Sequence, residues 1–444
     1  MYSMKKLTSI VSFLIFSITA FSQPTLVVNN GKSYKYETEV SKTGLDMGCF
    51  VVQQNIPLSI KFTSDSNEPM FLYSFEEGGS SQKKLISGCT QQGNILTYTA
   101  GEKDCGYVIE QGSSVYNFWV SAYREVATIE CDYTYSNMCT NIRIQGDGLT
   151  IPYHSILGGM PLTIPRKVKF YTWEWNEEEQ QLETSVEKEL VEKPSYDDKL
   201  VFESPYENTI ITLVDEIPTA WGGSVKETST EEEFVPQAIF MKAVVTQLER
   251  ESTNEIEVEK EVGSYGGSAP VDMVFEAYVN GDNYYCWQFF KSDKGPDDES
   301  PVILATYLDQ TLEYTFKEAG TTYVRLYAVN GTCGEEYITY TINVSESYID
   351  APNVFSPGAS PGINDEWKVA YKSIVEFKCV IFDRWGVKMV EFNDPSIGWD
   401  GKYGGKYVPS GVYFYVIQAK GSDGNEYKLK GHINILRGKD THEE

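Results

Sequence analysis

Three histidines, 64 acidic side chains and eight cysteines are the groups in this 444-residue chain that could do chemistry. His154 sits in Pro-Tyr-His-Ser-Ile, His432 in a strand-like run near the end, and His442 in the acidic tail. The chain holds no Ser-His-Asp or Cys-His arrangement, no His-x-x-x-His pair and no Gly-rich loop leading from a strand into a helix. Two carboxylates could serve a glycosidase as acid and base, but nothing singles out one pair among 64. The spacing therefore points to no catalytic residue, no cofactor and no metal. A secreted hydrolase with an unrecognised site in residues 24–260 remains an alternative.

What the cysteines do depends on compartment. Lys5 and Lys6 precede a short, largely apolar run from Leu7 to Phe21, and Ala20-Phe21-Ser22 is followed by Gln23-Pro24. That is the order of a charged start, an apolar centre and a small-x-small cleavage site. A membrane span needs about 20 predominantly apolar residues, more than this run supplies. Residues 1–22 thus read as a cleaved export signal, with Gln23 as the new N-terminus and no membrane span afterwards. In an oxidising compartment disulfides are expected: Cys131 with Cys139, Cys286 with Cys333, and one pair among Cys49, Cys89 and Cys105. Cys379 alternates with Phe377 and Ile381 and is expected to be a buried thiol acting as a small hydrophobe.

Another unusual group is the run WDGKYGGKYVPSGVYFYVI, from Trp399 to Ile417. Asp400-Gly401 and Gly404-Gly405 suit turns that need φ > 0. Pro409 cannot donate a ladder hydrogen bond and is expected to precede the strand. Gly411 to Ile417 carries apolar residues on both faces, including Tyr413, which predicts a central strand covered on both sides. Just upstream, Arg384-Trp385-Gly386 ends a strand in a turn. For Trp385, Trp399, Asp400, Pro409 and Gly411 the preferred reading is conformational: they shape turns and core, and a partner would recognise the folded surface.

The elements that must position these residues are strands. The chain has 31 Tyr, 21 Phe and 8 Trp, residues that favour a pleated surface, and long helical periodicity is scarce. The expected fold class is all-β, with tandem Ig-like β-sandwiches ending in a smaller one. The expected domains are a β-sandwich at 23–125, a β-rich domain with an acidic loop at 126–262, an Ig-like sandwich at 263–347, a C-terminal module at 348–438 and a tail at 439–444. Asn176 to Asp198 is dense in Glu and reads as a solvated loop or short exposed helix; the alternative is a loop that binds a cation or a partner. The run from Pro236 to Arg250 is ambiguous: Phe240, Val244 and Leu248 have helical spacing, while its Val and Ile content suits a strand, which is the preferred reading. In the third domain Trp287 is expected between two sheets.

Charge is uneven. The chain carries −27 overall, but residues 351–438 hold 11 Lys or Arg against 9 Asp or Glu, a net of +2. Such a step marks a module with a separate task. The acidic body would repel phosphates, so nucleic acid is not an expected partner.

Residues 352–437 resemble the type B C-terminal sorting domain of the type IX secretion system of Bacteroidetes, also called the gliding-motility-associated C-terminal domain. The resemblance rests on Pro352-Asn353-Val354-Phe355, Ile363-Asn364-Asp365, Ile381-Phe382-Asp383-Arg384-Trp385-Gly386, Gly398-Trp399-Asp400-Gly401, Val408-Pro409-Ser410-Gly411-Val412-Tyr413, Lys430-Gly431 and Ile435-Leu436-Arg437. Gly358 to Gly362 departs from the family's Asn-Gly-Asp-Gly turn, so no metal is expected there. Trp287-Gln288-Phe289 and Gly320 to Leu326 are similar to strands of PKD-like domains. The resemblance implies a non-catalytic protein that passes through the periplasm, engages the type IX outer-membrane machinery and ends on the cell surface or outside. Residues 23–347 would be the passenger, binding a protein or glycan. A PorA-like role, signalling secretion status to an envelope kinase system, is the alternative within the same class.

Overall fold

A computed structural model describes residues 23–135, 138–259, 264–281, 283–359 and 362–437. The export signal expected at 1–22 and the tail with His442 lie outside the described residues. Strands make up 52% of the described residues and helix 4%, so the protein is all-β. The contacts divide it into two compact units. The first runs to Tyr171 and takes back Glu187–Ser204 and Asn208–Val235; the second holds Thr172–Val186, Pro205–Glu207 and the chain from Pro236.

In the first unit a four-stranded sheet, with Leu58–Thr63 and Ile95–Gly101 at its centre, packs on a six-stranded one. Leu58, Ile60 and Phe62 meet Phe50, Val52, Phe118 and Val120 across this core. The six-stranded sheet is covered on its other face as well, where Cys49, Val51 and Trp119 pack with Ile151, Tyr153 and Ile217. Two-sided burial is why Cys49–Val52 is apolar at every position. The rest of the unit joins Asn141–Gln145 and Lys199–Glu203 to the sheet of Arg166–Asn176 and Thr212–Asp215 around Ile144, Phe170, Phe202 and Leu213.

The acidic segment expected as a loop or helix is instead a long strand, Gln181–Glu192, lying beside Arg166–Asn176. Leu182, Val186, Lys188 and Leu190 are half-buried while the glutamates between them face water. The period of two therefore holds from Val186 to Leu190, and charge density hid it.

The second unit contains two sandwiches. Met241–Leu248 pairs with Val271–Val279, which pairs with Thr311–Phe316. This sheet faces five strands in the order Tyr265–Gly267, Gly334–Val344, Gly320–Asn330, Tyr284–Phe290, Ile303–Tyr307. Trp287 lies between the two sheets, 5.3 Å from Phe275 between ring centroids. The C-terminal sandwich sets five strands, Val354–Phe355, Glu426–Ile435, Gly411–Gly421, Ile374–Phe382 and Lys388–Phe392, against the pair Tyr348–Asp350 and Ala370–Lys372.

Register also corrects the cysteines. Cys139 and Cys333 each take part in a disulfide, whereas Cys131 and Cys286, along with Cys49, Cys89, Cys105 and Cys379, are free thiols. The expected bonds Cys131–Cys139 and Cys286–Cys333 do not form. Cys131 faces Ile144 and Cys286 faces Tyr327, each at least ~10 Å along its ladder from the turn that holds the supposed partner. A disulfide tolerates only ~4.4–6.8 Å between Cα atoms. No pair forms among Cys49, Cys89 and Cys105 either: Cys49 and Cys105 belong to cores on opposite faces of one sheet.

Burial pushes the thiols of Cys49, Cys105 and Cys379 up to about 12, which suppresses the thiolate that reacts. In native protein at mildly alkaline pH these three should resist alkylation, and denaturation without reductant should release six reactive thiols. A count of two, the number three disulfides would leave, would contradict this assignment.

Candidate functional site in the C-terminal module

Local turn chemistry builds the module's signature. Asp400 accepts the Lys402 N–H at 3.0 Å and pairs with the Lys402 ammonium at 2.9 Å. Gly401 has φ +76°, and a Cβ there would stand 2.9 Å from Pro357 Cγ, so only glycine fits the close approach. Gly404 and Gly405, at φ +57° and +84°, form the two-residue turn joining Lys402–Tyr403 to Lys406–Tyr407, where positive φ at both centres matches the strand twist. The Val408 N–H then donates to Gly401 O at 2.9 Å and closes the loop.

Trp399 is buried under this loop. Its backbone exchanges two 2.9 Å hydrogen bonds with Trp367, and its indole N–H donates to Lys402 O at 3.0 Å. Its ring lies 5.3 Å from Tyr413 and 5.7 Å from Phe355. The Tyr413 hydroxyl donates to Pro409 O at 3.1 Å, and Gly411 opens the strand with free space at its Cβ position. Arg437 donates to Val408 O at 2.8 Å and lies over the Tyr407 ring.

Arg384, Trp385 and Gly386 form a turn held by Asp383, which accepts the N–H groups of Trp385 and Val387 at 2.8 Å each. Trp385 is 79% exposed, with the Arg384 guanidinium 5.4 Å from its ring centroid. The two groups are electrostatically linked. Burial raises the Tyr413 phenol above its ordinary value; Asp383 raises it further, and Arg384 and Arg437 oppose both. Within the signature Trp399, Gly401 and Tyr413 are thus buried scaffold, while Arg384 and Trp385 are presented outward. Asp365 accepts the Gly358 and Gly362 N–H groups at 2.8 and 2.6 Å.

Sequence reasoning missed the residues that fasten this module to the chain before it. The Asn254 side-chain amide donates to Val369 O at 2.7 Å and to Pro395 O at 2.8 Å, and the Ile256 N–H donates to Tyr371 O at 2.7 Å. Fully buried Ser373 donates its N–H to Ser268 Oγ at 2.7 Å, accepts the Ala269 N–H on its Oγ at 3.0 Å and hydrogen-bonds through that hydroxyl with Ser345 Oγ at 2.7 Å. A lone Asn and Ser in polar connectors carry no local signal for such contacts.

Elsewhere, His154 is buried beside Trp119 at 5.1 Å and His432 pairs across the ladder with Phe414. Among the described residues no group of three or more His, Cys, Asp or Glu could hold a metal ion, and no helix is long and apolar enough to cross a membrane.

The fold defines an all-β protein of successive sheets that ends in a small module built over a buried tryptophan pair. Residues 349–435 match the CHU_C Type IX secretion signal domain. This signal indicates export of the protein by type IX secretion, to the cell surface or the extracellular space. The match does not extend to the preceding sandwiches. No curated protein matches the chain in sequence. Among solved structures, dimeric latent PorU from Porphyromonas gingivalis is similar at 10% identity and a TM-score of 0.17, over 73% of this chain and 35% of that one. An Escherichia coli alpha-2-macroglobulin activated by porcine elastase is similar at 9% and 0.17, over 94% and 44%. A Ca2+-stabilised adhesin that helps an Antarctic bacterium bind ice is similar at 9% and 0.17, over 94% and 100%. The chain spans about a third of the length of PorU and under half that of the macroglobulin. TM-scores this low specify no common fold.

Proposed function

We propose that this protein is a non-catalytic cargo of type IX secretion. Its C-terminal module is engaged by the outer-membrane machinery after transit through the periplasm, and its sandwiches bind a protein or glycan outside the cell. The match of residues 349–435 to the secretion signal domain carries the reading. Binding by the passenger is supported by the Ile303–Tyr307 strand at the edge of its sheet, where Leu304 is 61% exposed, flanked by exposed Val302 and Leu308. An unpaired edge with apolar side chains is suited to adding a strand from a partner.

Removing residues 348–437 from the full chain is expected to strand the passenger in the periplasm, read by cell fractionation and surface protease accessibility. Delivery of the truncated chain to the surface in normal amounts would refute the sorting role.

A further inference from the structure

We infer that the solvent-facing side of the C-terminal sheet is the surface by which the outer-membrane export machinery holds this protein, and that its partner there is a protein patch with an apolar centre and a carboxylate rim. The inference rests on the export reading above and adds the face and its chemistry.

The observation begins with the Gly411–Gly421 strand. Its inner side chains, Tyr413, Ile417 and Ala419, are buried in the core. Its outer ones, Val412, Phe414 and Val416, are 45%, 44% and 44% exposed. The expected cover on the second face is therefore absent from the described chain. Neighbouring strands extend the patch: Phe414 pairs with Phe382, and Val416 with Val380. The Asp383 turn adds exposed Trp385 and Val387. Contiguous apolar patches of this kind mark interaction sites, because solubility alone would place polar residues there. Neither Phe414 nor Trp385 belongs to the module's buried core, so folding does not account for them.

The rim is cationic. Lys378 and Lys388 share one carboxylate, Glu391, at 2.8 and 2.9 Å. Lys420 meets Glu376 and Lys428 meets Glu426. Lys430, beside Val416, and Arg384, over Trp385, have no carboxylate at ion-pair distance among the described residues. The face therefore carries excess positive charge in a chain of net −27. Complementarity selects an acidic rim on the partner and raises the encounter rate. A symmetric dimer through this face would set lysine against lysine, which disfavours a second copy as the occupant.

The test uses the full chain in a type IX-secreting host. Phe414→Glu is expected to give a folded, protease-resistant protein whose surface fraction falls about tenfold or more, as loss of a central apolar anchor does. Arg384→Glu with Lys430→Glu reverses two rim charges without touching the core and should lower surface delivery in the same direction; this pair decides the matter if Phe414→Glu does not fold. Normal delivery of the folded variants, beside retention of the chain lacking residues 348–437, would overturn this face and leave the export reading standing. Normal delivery of the truncated chain would instead remove the export reading. If Phe414→Glu abolishes self-association by light scattering, or binding to anionic vesicles, while export continues, the face serves a second copy or a lipid surface and the proposal is overturned.

Discussion

Trp399→Ala is expected to destabilise the C-terminal module by about 3–5 kcal/mol, the range for deleting a large aromatic from a packed core. The indole is 2% exposed, donates to Lys402 O and touches both Tyr413 and Phe355. Its removal opens a cavity under the glycine loop and leaves the Lys402 carbonyl without its donor. Small domains hold only about 5–15 kcal/mol in total, so the variant's module should unfold early in a denaturant titration of the full chain. Trp385→Ala is the matched control. That indole is exposed, and its loss should fall within about ±0.5 kcal/mol. Equal effects at the two positions would show that Trp399 is not the buried support its contacts describe. Under the proposed function Trp399→Ala should also retain the protein in the periplasm, since an unfolded signal presents no surface to be held.

How far the sequence reveals this architecture depends on the range of the interaction that decides each feature. Turns were legible: two consecutive glycines between strand residues specify the Gly404-Gly405 hairpin, because the two positive φ angles are a local requirement. Trp287 between sheets was legible too, since alternation with Phe289 directs both inward. The acidic strand Gln181–Glu192 was obscured, because its half-buried positions include Lys188 and its three half-buried apolar residues are outnumbered by four glutamates. The cysteines misled because nearness in sequence is not nearness across a ladder, and register sets Cys131 and Cys286 away from the turns of Cys139 and Cys333. From sequence the strand from Gly411 reads as doubly buried, since apolar residues on both faces look the same in a core and on a docking surface. Asn254 could not be found at all, because its partners Val369 and Pro395 lie more than a hundred residues away.

Asp215→Ala is expected to cost about 3–5 kcal/mol, the price of leaving its buried partner charge uncompensated. Arg166 is 3% exposed and Asp215 is 5% exposed, joined Nη2 to Oδ2 at 3.2 Å. Asp215 also accepts from the Tyr123 hydroxyl at 2.9 Å and from the Ile217 N–H at 3.1 Å. The guanidinium is worse provided: its Nε and Nη1 are buried without a hydrogen-bond partner. Removing the carboxylate therefore strands a cation, whereas Arg166→Met leaves Asp215 with two donors and should cost less. Replacing both, Arg166→Met with Asp215→Leu, should recover much of the loss, because swapping a buried ion pair for packed apolar groups is often near neutral. Additive single losses in that double-mutant cycle would show that the pair is not coupled. A second readout is independent of stability. Burial, and then the Asp215 charge, raise the Tyr123 phenol above the ordinary tyrosine range. In a folded Asp215→Ala protein Tyr123 should ionise at lower pH than in the parent while staying elevated by burial, which ultraviolet titration against a Tyr123→Phe control resolves.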